Sequence, residues 1–192
     1  LLDKAKLEKR IASLESERKS FGKGRADAEF RLSTITHDIQ NNEAAIERMK
    51  ADYEKYSAVV QRDKDDNPVN NLTVDSCKFK DEQNMGVHLQ GLAQRTDTHG
   101  QYQRVGEVYG FPISIISEHT LIDGREGVQN RFVVEGSYKY KYNNGFIAMS
   151  DTHAACMNFV NALEKIPGIV EQYEERTAKL KADVPVLSLI HI

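Results

Sequence analysis

Ile39-Gln40-Asn41-Asn42-Glu43-Ala44-Ala45-Ile46-Glu47-Arg48-Met49 places Ile39, Asn42, Ile46 and Met49 three or four residues apart, with Gln, Glu and Arg between them. Side chains at that spacing stand on one face of a helix, so the segment reads as an apolar stripe with solvated flanks. Followed outward, the stripe takes in Leu7, Ile11, Leu14, Arg18, Phe21, Arg25, Ala28, Leu32 and Ile35 before it, and Tyr53, Tyr56 and Val60 after it. This is a heptad register, the pattern of a two-stranded helical seam. Unbroken, it would extend on the order of 80 Å at ~1.5 Å per residue, and so long a stripe needs a covering surface. Its weak point is Phe21-Gly22-Lys23-Gly24, where each glycine costs ~1 kcal/mol in a helix interior and Arg18 and Arg25 interrupt the stripe on either side. Two antiparallel helices turning there are expected, with one continuous helix as the close alternative because the register survives the glycines. Residues 1 to 63 carry 13 basic and 12 acidic groups, the mixed charge of a solvated helical surface rather than of a nucleic-acid arm.

The whole chain of 192 residues is 40% apolar and 29% charged, within the range of soluble globular proteins. No apolar run approaches the ~18 residues of a membrane span. A net charge of −3 supplies no global positive field, so contact with nucleic acid or anionic lipid would have to be local. The two cysteines, Cys77 and Cys156, are far apart and form no Cys-x-x-Cys pair. That argues against a disulfide framework and a structural zinc site and fits a reducing, cytoplasmic compartment. The chain opens at Leu1-Leu2-Asp3-Lys4 without Met or a signal-peptide pattern, so it is expected to start inside a larger protein. The closing hexamer Leu187-Ser188-Leu189-Ile190-His191-Ile192 is similar to the translation of a transposase adapter end. It is expected to be a sequencing scar and is left out of the fold reasoning, with a genuine short strand as the alternative.

Asp63 to Asn71 packs charges, Asn and Pro68 together and ends the helical pattern by turn chemistry. Leu72 to Ser76 alternates as a strand, and Asp81 to Gln94 sets Met85, Leu89 and Leu92 at helical spacing. Three β-rich runs follow, Tyr102 to Tyr109, Pro112 to His119 and Arg131 to Tyr142, broken at Gly110, Asp123-Gly124 and Asn143-Asn144-Gly145. Such short connections favour antiparallel pairing. Asp151 to Lys165 is a helix with Ala155, Phe159, Ala162 and Leu163 on one face and Ser150 or Asp151 as cap. Pro167-Gly168 is expected to kink or stop it, with a more charged helix resuming from Ile169 to Ala182 and ending before Pro185. The fold class is therefore α+β: a long helical coiled coil or antiparallel helical hairpin (1–62), a linker (63–71), a small antiparallel β module with one helix (72–149), C-terminal helices (150–186) and the scar (187–192).

No catalytic constellation stands out. Gly106-Glu107-Val108-Tyr109-Gly110-Phe111 leads into Pro112 and a strand, not into the Lys-Ser/Thr and helix of a phosphate-binding loop. The triplets Asp97-Thr98-His99 and Asp151-Thr152-His153 could bring carboxylate and imidazole together, but both stand where Asp and Thr serve as caps, so no metal site is assigned. Cys156 lies on the inner side of its helix and reads as a small core residue. The most informative local pattern is Tyr138-Lys139-Tyr140-Lys141-Tyr142, whose alternation would put three tyrosines on one sheet face and two lysines on the other. Lys139 and Lys141, aided by Arg104 and Arg131 with Arg95 and Arg125 as further candidates, are the residues expected to track a phosphate backbone if this module meets nucleic acid. The same pattern fits an ordinary half-buried strand with solvated lysines, and residues 64 to 150 hold 9 basic against 11 acidic groups.

The order of these parts is itself a signature: the heptad helix, then Arg104-Val105-Gly106 and Tyr109-Gly110-Phe111-Pro112-Ile113, then Phe132-Val133-Val134-Glu135-Gly136-Ser137-Tyr138-Lys139-Tyr140, then a helix bearing Asn158, Asn161, Leu163 and Ile166. Over residues 1 to 186 it resembles the carboxy-terminal region of large bacterial proteins that join a DNA adenine methyltransferase to a Swi/Snf-like superfamily 2 helicase, carried on conjugative and other mobile elements. The resemblance implies a parent that translocates on DNA with ATP and Mg²⁺ and methylates it with S-adenosylmethionine. Its implied partners are the parent's helicase and methyltransferase domains and DNA, while the heptad stripe itself leads to an expectation of pairing within the chain or with a second copy. This segment has no Walker-type loop, acidic helicase box or Asn-Pro-Pro-Tyr motif. It is expected to be a non-catalytic accessory region without a cofactor of its own, or else a purely structural interaction module that touches no nucleic acid.

Overall fold

A computed structural model describes residues 2–75, 79, 81–122 and 125–189. Ser76, Cys77, Asp123, Gly124 and Ile190-His191-Ile192 lie outside the described residues, as does the side chain of Arg125. The elements in chain order are α1 (Leu2–Ser57), β1 (Leu72–Val74), α2 (Glu82–Arg95), β2 (Gln103–Val108), β3 (Phe111–Ile122), β4 (Arg125–Glu135), β5 (Lys139–Tyr140), a 3₁₀ turn (Asn143–Gly145), α3 (Thr152–Glu164) and α4 (Ile166–Leu189). The chain forms two compact units, Leu1–Ile46 with Glu171–Ile192, and Glu47–Val170.

In the first unit the expected hairpin is replaced by a single helix, since α1 runs unbroken through Phe21-Gly22-Lys23-Gly24. Two exposed glycines cost only their propensity, while a turn would abandon several backbone hydrogen bonds; ion pairs such as Arg25 Nε to Glu29 Oε1 at 2.8 Å add local support. The covering helix comes from the other end of the chain. Glu43 pairs with Lys181 at 2.6 Å, and Phe30 and Ile35 share a groove with Asp183 and Val186, so α4 runs antiparallel to this part of α1. The stripe residues Ala28, Asn42 and Ile46 are buried, along with Ala45. Pro167 and Pro185 do not bound α4 as expected. The break falls at Lys165, Pro167 sits in the first turn where its missing N–H has no ladder partner to lose, and Pro185 lies inside the helix. Pro185 removes one backbone hydrogen bond without ending a helix whose neighbours continue the ladder.

The second unit is a five-stranded antiparallel sheet in the order β1-β2-β3-β4-β5, with β3 and β4 paired from Ile113↔Val134 to Ile122↔Arg125. Leu72, Val108, Ile113, Ile115, Phe132 and Val134 share one face by register and are buried. Phe132 meets Phe159 of α3 edge-on at 5.8 Å, and Leu89 of α2 and Leu163 of α3 are buried with them. The two helices cross closely at Gly86, where a Cβ would lie 2.4 Å from the Thr152 carbonyl oxygen. The C-terminal end of α2 is fastened to the β3–β4 hairpin by a buried polar cluster. Asn130 Nδ2 donates to the carbonyls of Ala93 (2.9 Å) and Thr96 (2.8 Å), and Ser117 Oγ donates to Asn130 Oδ1 (2.6 Å).

The run expected from Arg131 to Tyr142 is not one strand. β4 ends at Glu135, the chain turns through Gly136-Ser137-Tyr138, and β5 contributes only Lys139 and Tyr140. The reason is Asp52, whose Oδ2 lies 2.6 Å from where a Cβ on Gly136 would stand and whose carboxylate accepts from the Ser137 N–H (2.6 Å). That acceptor draws the backbone into a bend. Tyr56 is also buried, donates to Glu164 Oε1 at 2.5 Å, and packs edge-on against Tyr109 at 5.5 Å.

The Gly22→Ala/Gly24→Ala double variant tests the continuous helix. Nothing lies within 4 Å of a Cβ at either position, so each change should raise helix stability by up to about 1 kcal/mol. Thermal unfolding followed by circular dichroism should shift upward, whereas a turn at these glycines would make the same changes destabilising.

Candidate functional site

Register places three of the expected nucleic-acid residues, Arg104, Arg131 and Lys139, on one face. Arg104 faces Ser114, which faces Val133; Arg131 and Glu135 follow Val133 at even spacing, and Glu135 faces Lys139. Arg104, Arg131 and Lys139 thus project from the sheet face opposite the one that carries α3. Lys141 is exposed just beyond β5, so the pair of lysines does not ride on one strand as the alternation suggested.

Their charges are already matched. Arg104 lies 3.0 Å from Asp75 and 3.1 Å from Glu107. Lys139 Nζ is 3.3 Å from Glu135 and 3.9 Å from the ring centroid of Tyr102. Arg131 lies 2.9 Å from Glu118 through Nε, without a hydrogen-bond direction, and stacks 4.9 Å over the Phe146 ring. Ser114 and Val133 on this face are buried, so it is partly covered.

A cavity of about 860 Å³ opens beside α2 and α3, with Asp63, Asp81, Glu82 and His153 in its wall. Each of these acids has a structural duty. Asp63 accepts from the Asp65 and Asn67 amides at 2.9 Å, which holds its carboxyl below the ordinary range and organises the 63–67 turn. Asp81 caps α2 through the Asn84 N–H at 2.8 Å, and Glu82 accepts from Asn70 at 2.9 Å and meets His153 Nδ1 at 3.0 Å. Cys156 is fully buried in α3, and burial with the nearby Glu82 pushes its thiol up to about 12. It stays protonated at neutral pH and fills core space.

The two Asp-Thr-His triplets part company. Asp151 caps α3 through the Ala154 N–H (3.0 Å), as expected. Asp97 and His99 are joined by His119 of β3: Asp97 Oδ1 lies 3.4 Å from His99 Nδ1 and 3.3 Å from His119 Nε2. The His99 amide N–H, donating at 2.9 Å, holds the Asp97 carboxyl below its ordinary value, with both imidazoles adding to the effect. Sequence spacing cannot find His119, because only the β3 register brings it beside the loop after α2. Asp52 escapes sequence reading too, as an acid flanking the heptad stripe reads as solvated unless its partners are known.

No helix among the described residues is long and apolar enough to cross a membrane. No curated protein and no solved structure matches the chain. The family described as a domain of unknown function, DUF8438, matches residues 57–163, which fall within the second unit and cover more than half of the chain. A five-stranded antiparallel meander backed by two helices is therefore the core of what that family encodes here, and the chain belongs to the DUF8438 family.

Proposed function

We propose that this chain is a non-catalytic accessory region of a larger protein, of the kind its motif order resembles, with α1 as a helical strut and the DUF8438 module as a domain-contacting part. The observation that carries this reading is the uncovered half of the heptad stripe. Leu7, Ile11, Leu14 and Phe21 are 64%, 55%, 48% and 78% exposed, whereas the same stripe is buried from Ala28 onward at Asn42, Ile46, Met49 and Tyr56. Apolar residues repeated at helical spacing on a solvated helix call for a second helix. With the intramolecular hairpin excluded, a second copy is the partner of matching pattern. An antiparallel pair is favoured, because a parallel in-register pair would stack Arg18 on Arg18 and Arg25 on Arg25.

Sedimentation equilibrium of the full chain tests this. A concentration-dependent dimer is expected, converted to monomer by Ile11→Asp/Leu14→Asp with the circular dichroism of the second unit unchanged. A monomer at every concentration would contradict the reading.

A second reading, contact with the phosphate backbone of DNA, is favoured by the shared face of Arg104, Arg131 and Lys139, with Lys141 beside them. The carboxylate beside each of the first three weighs against it, since phosphate would have to displace an existing partner. If the contact forms, Lys139→Ala/Lys141→Ala should weaken duplex binding uniformly across sequences. The slope of log affinity against log salt should then fall by about 0.9 for each lysine–phosphate pair removed. Titrations at several salt concentrations decide it, and unchanged affinity and slope would remove these lysines from any such site.

A further inference from the structure

We propose that Asp97, His99 and His119 form a binding site for a divalent ion of the zinc class, stapling the loop between α2 and β2 to strand β3. The three ligand atoms lie within 4.8 Å of one another. Tetrahedral zinc with bonds of about 2.0–2.1 Å sets its ligand atoms roughly 3.3–3.4 Å apart along each edge. Two edges already have that length, at 3.4 Å from Asp97 Oδ1 to His99 Nδ1 and 3.3 Å to His119 Nε2. The third edge is within 4.8 Å, and both imidazoles that span it are exposed.

The backbone beneath is fixed before any ion arrives. Thr98, between two of the ligands, is bound in both directions to Ser117, two residues before the third: the Thr98 N–H donates to Ser117 Oγ (2.8 Å) and the Ser117 N–H to Thr98 Oγ1 (2.8 Å). Ser117 is itself buried and held by Asn130. His99 is held at φ 50°, a left-handed conformation that few non-glycine residues adopt, by its N–H donating to the Asp97 carboxylate. The loop and strand therefore keep their register, so the ordering left for binding is that of the side chains and not of the backbone.

Two imidazole nitrogens and one carboxylate oxygen suit zinc, cobalt, nickel or copper rather than calcium or magnesium, which take mostly oxygen ligands. Side-chain exposures of 83%, 60% and 35% for His99, His119 and Asp97 leave the fourth position open to water.

The test is isothermal titration of ZnCl₂ into the metal-free full chain, with Co²⁺ as a second probe. One equivalent of zinc should bind, and cobalt should give the intense visible absorption of tetrahedral coordination. His99→Ala and His119→Ala should each weaken binding by more than about tenfold, the lower bound set by losing even an outer-sphere partner. His153→Ala, which changes the imidazole beside Glu82, should leave it unchanged. Both ligand histidines are exposed, so their replacement should not disturb folding. In the native chain, zinc should also move the imidazole resonances of His99 and His119 before those of other histidines. Absence of zinc binding, equal affinity in His99→Ala, or unmoved His99 and His119 resonances would overturn the proposal.

Discussion

A buried carboxylate on a long helix organises the DUF8438 module. Asp52 is 2% exposed and accepts hydrogen bonds from the Ser137 N–H (2.6 Å), the Ser137 hydroxyl (3.1 Å) and the Tyr140 hydroxyl (2.7 Å), with Lys55 Nζ 4.0 Å away. Removing a carboxylate from water costs several kcal/mol unless its lone pairs are satisfied, and deleting one partner of such a buried charged group costs about 3–5 kcal/mol. Two donors from the turn at Ser137 and one from Tyr140 of β5 therefore fix the end of α1 against the β4–β5 hairpin. Burial and the adjacent Asp52 charge push the Tyr140 hydroxyl well above its ordinary pKa, so it remains a donor. Four residues on from Asp52, Tyr56 repeats the device with Glu164 of α3, and Arg62 joins the same carboxylate at 2.8 Å.

The heptad stripe thus meets different surroundings along one helix. Its last turns belong to the α+β module, its middle is shared with α4, and its first turns are bare. Only the bare part distinguishes a joining element from a self-contained domain, which is why the functional reading rests there and not on the sheet. Basic residues on the sheet face form a poor phosphate track while each sits beside an acid, because affinity for a polyanion comes from uncompensated charge.

Much of the fold is legible in local pattern. From Ala28 to Tyr56 the stripe residues named from spacing are buried or half-buried, and Asp151, one of the two cap candidates for α3, caps it. What local pattern cannot give is long-range partnership. Gly22 and Gly24 read as a turn because their cost is visible in sequence, while the helix that covers α1 lies over a hundred residues away in α4. Tyr138 to Tyr142 reads as one strand because alternation carries no trace of the Asp52 acceptor that bends the chain at Ser137. The Asp97-Thr98-His99 triplet is visible in sequence, yet its companion is His119, two residues along the strand from the Ser117 that anchors Thr98. Register decides such a meeting, and register is set by the whole sheet.

Native-state amide hydrogen exchange shows most directly whether the end of α1 is built into the DUF8438 module or is a connecting segment. Amides from Met49 to Tyr56 should exchange with the same high opening free energy as those of β3 and β4, because the Asp52 and Tyr56 hydrogen bonds make them one cooperative unit. Exchange from Met49 to Tyr56 as rapid as that from Leu7 to Phe21, with the sheet amides still protected, would contradict it.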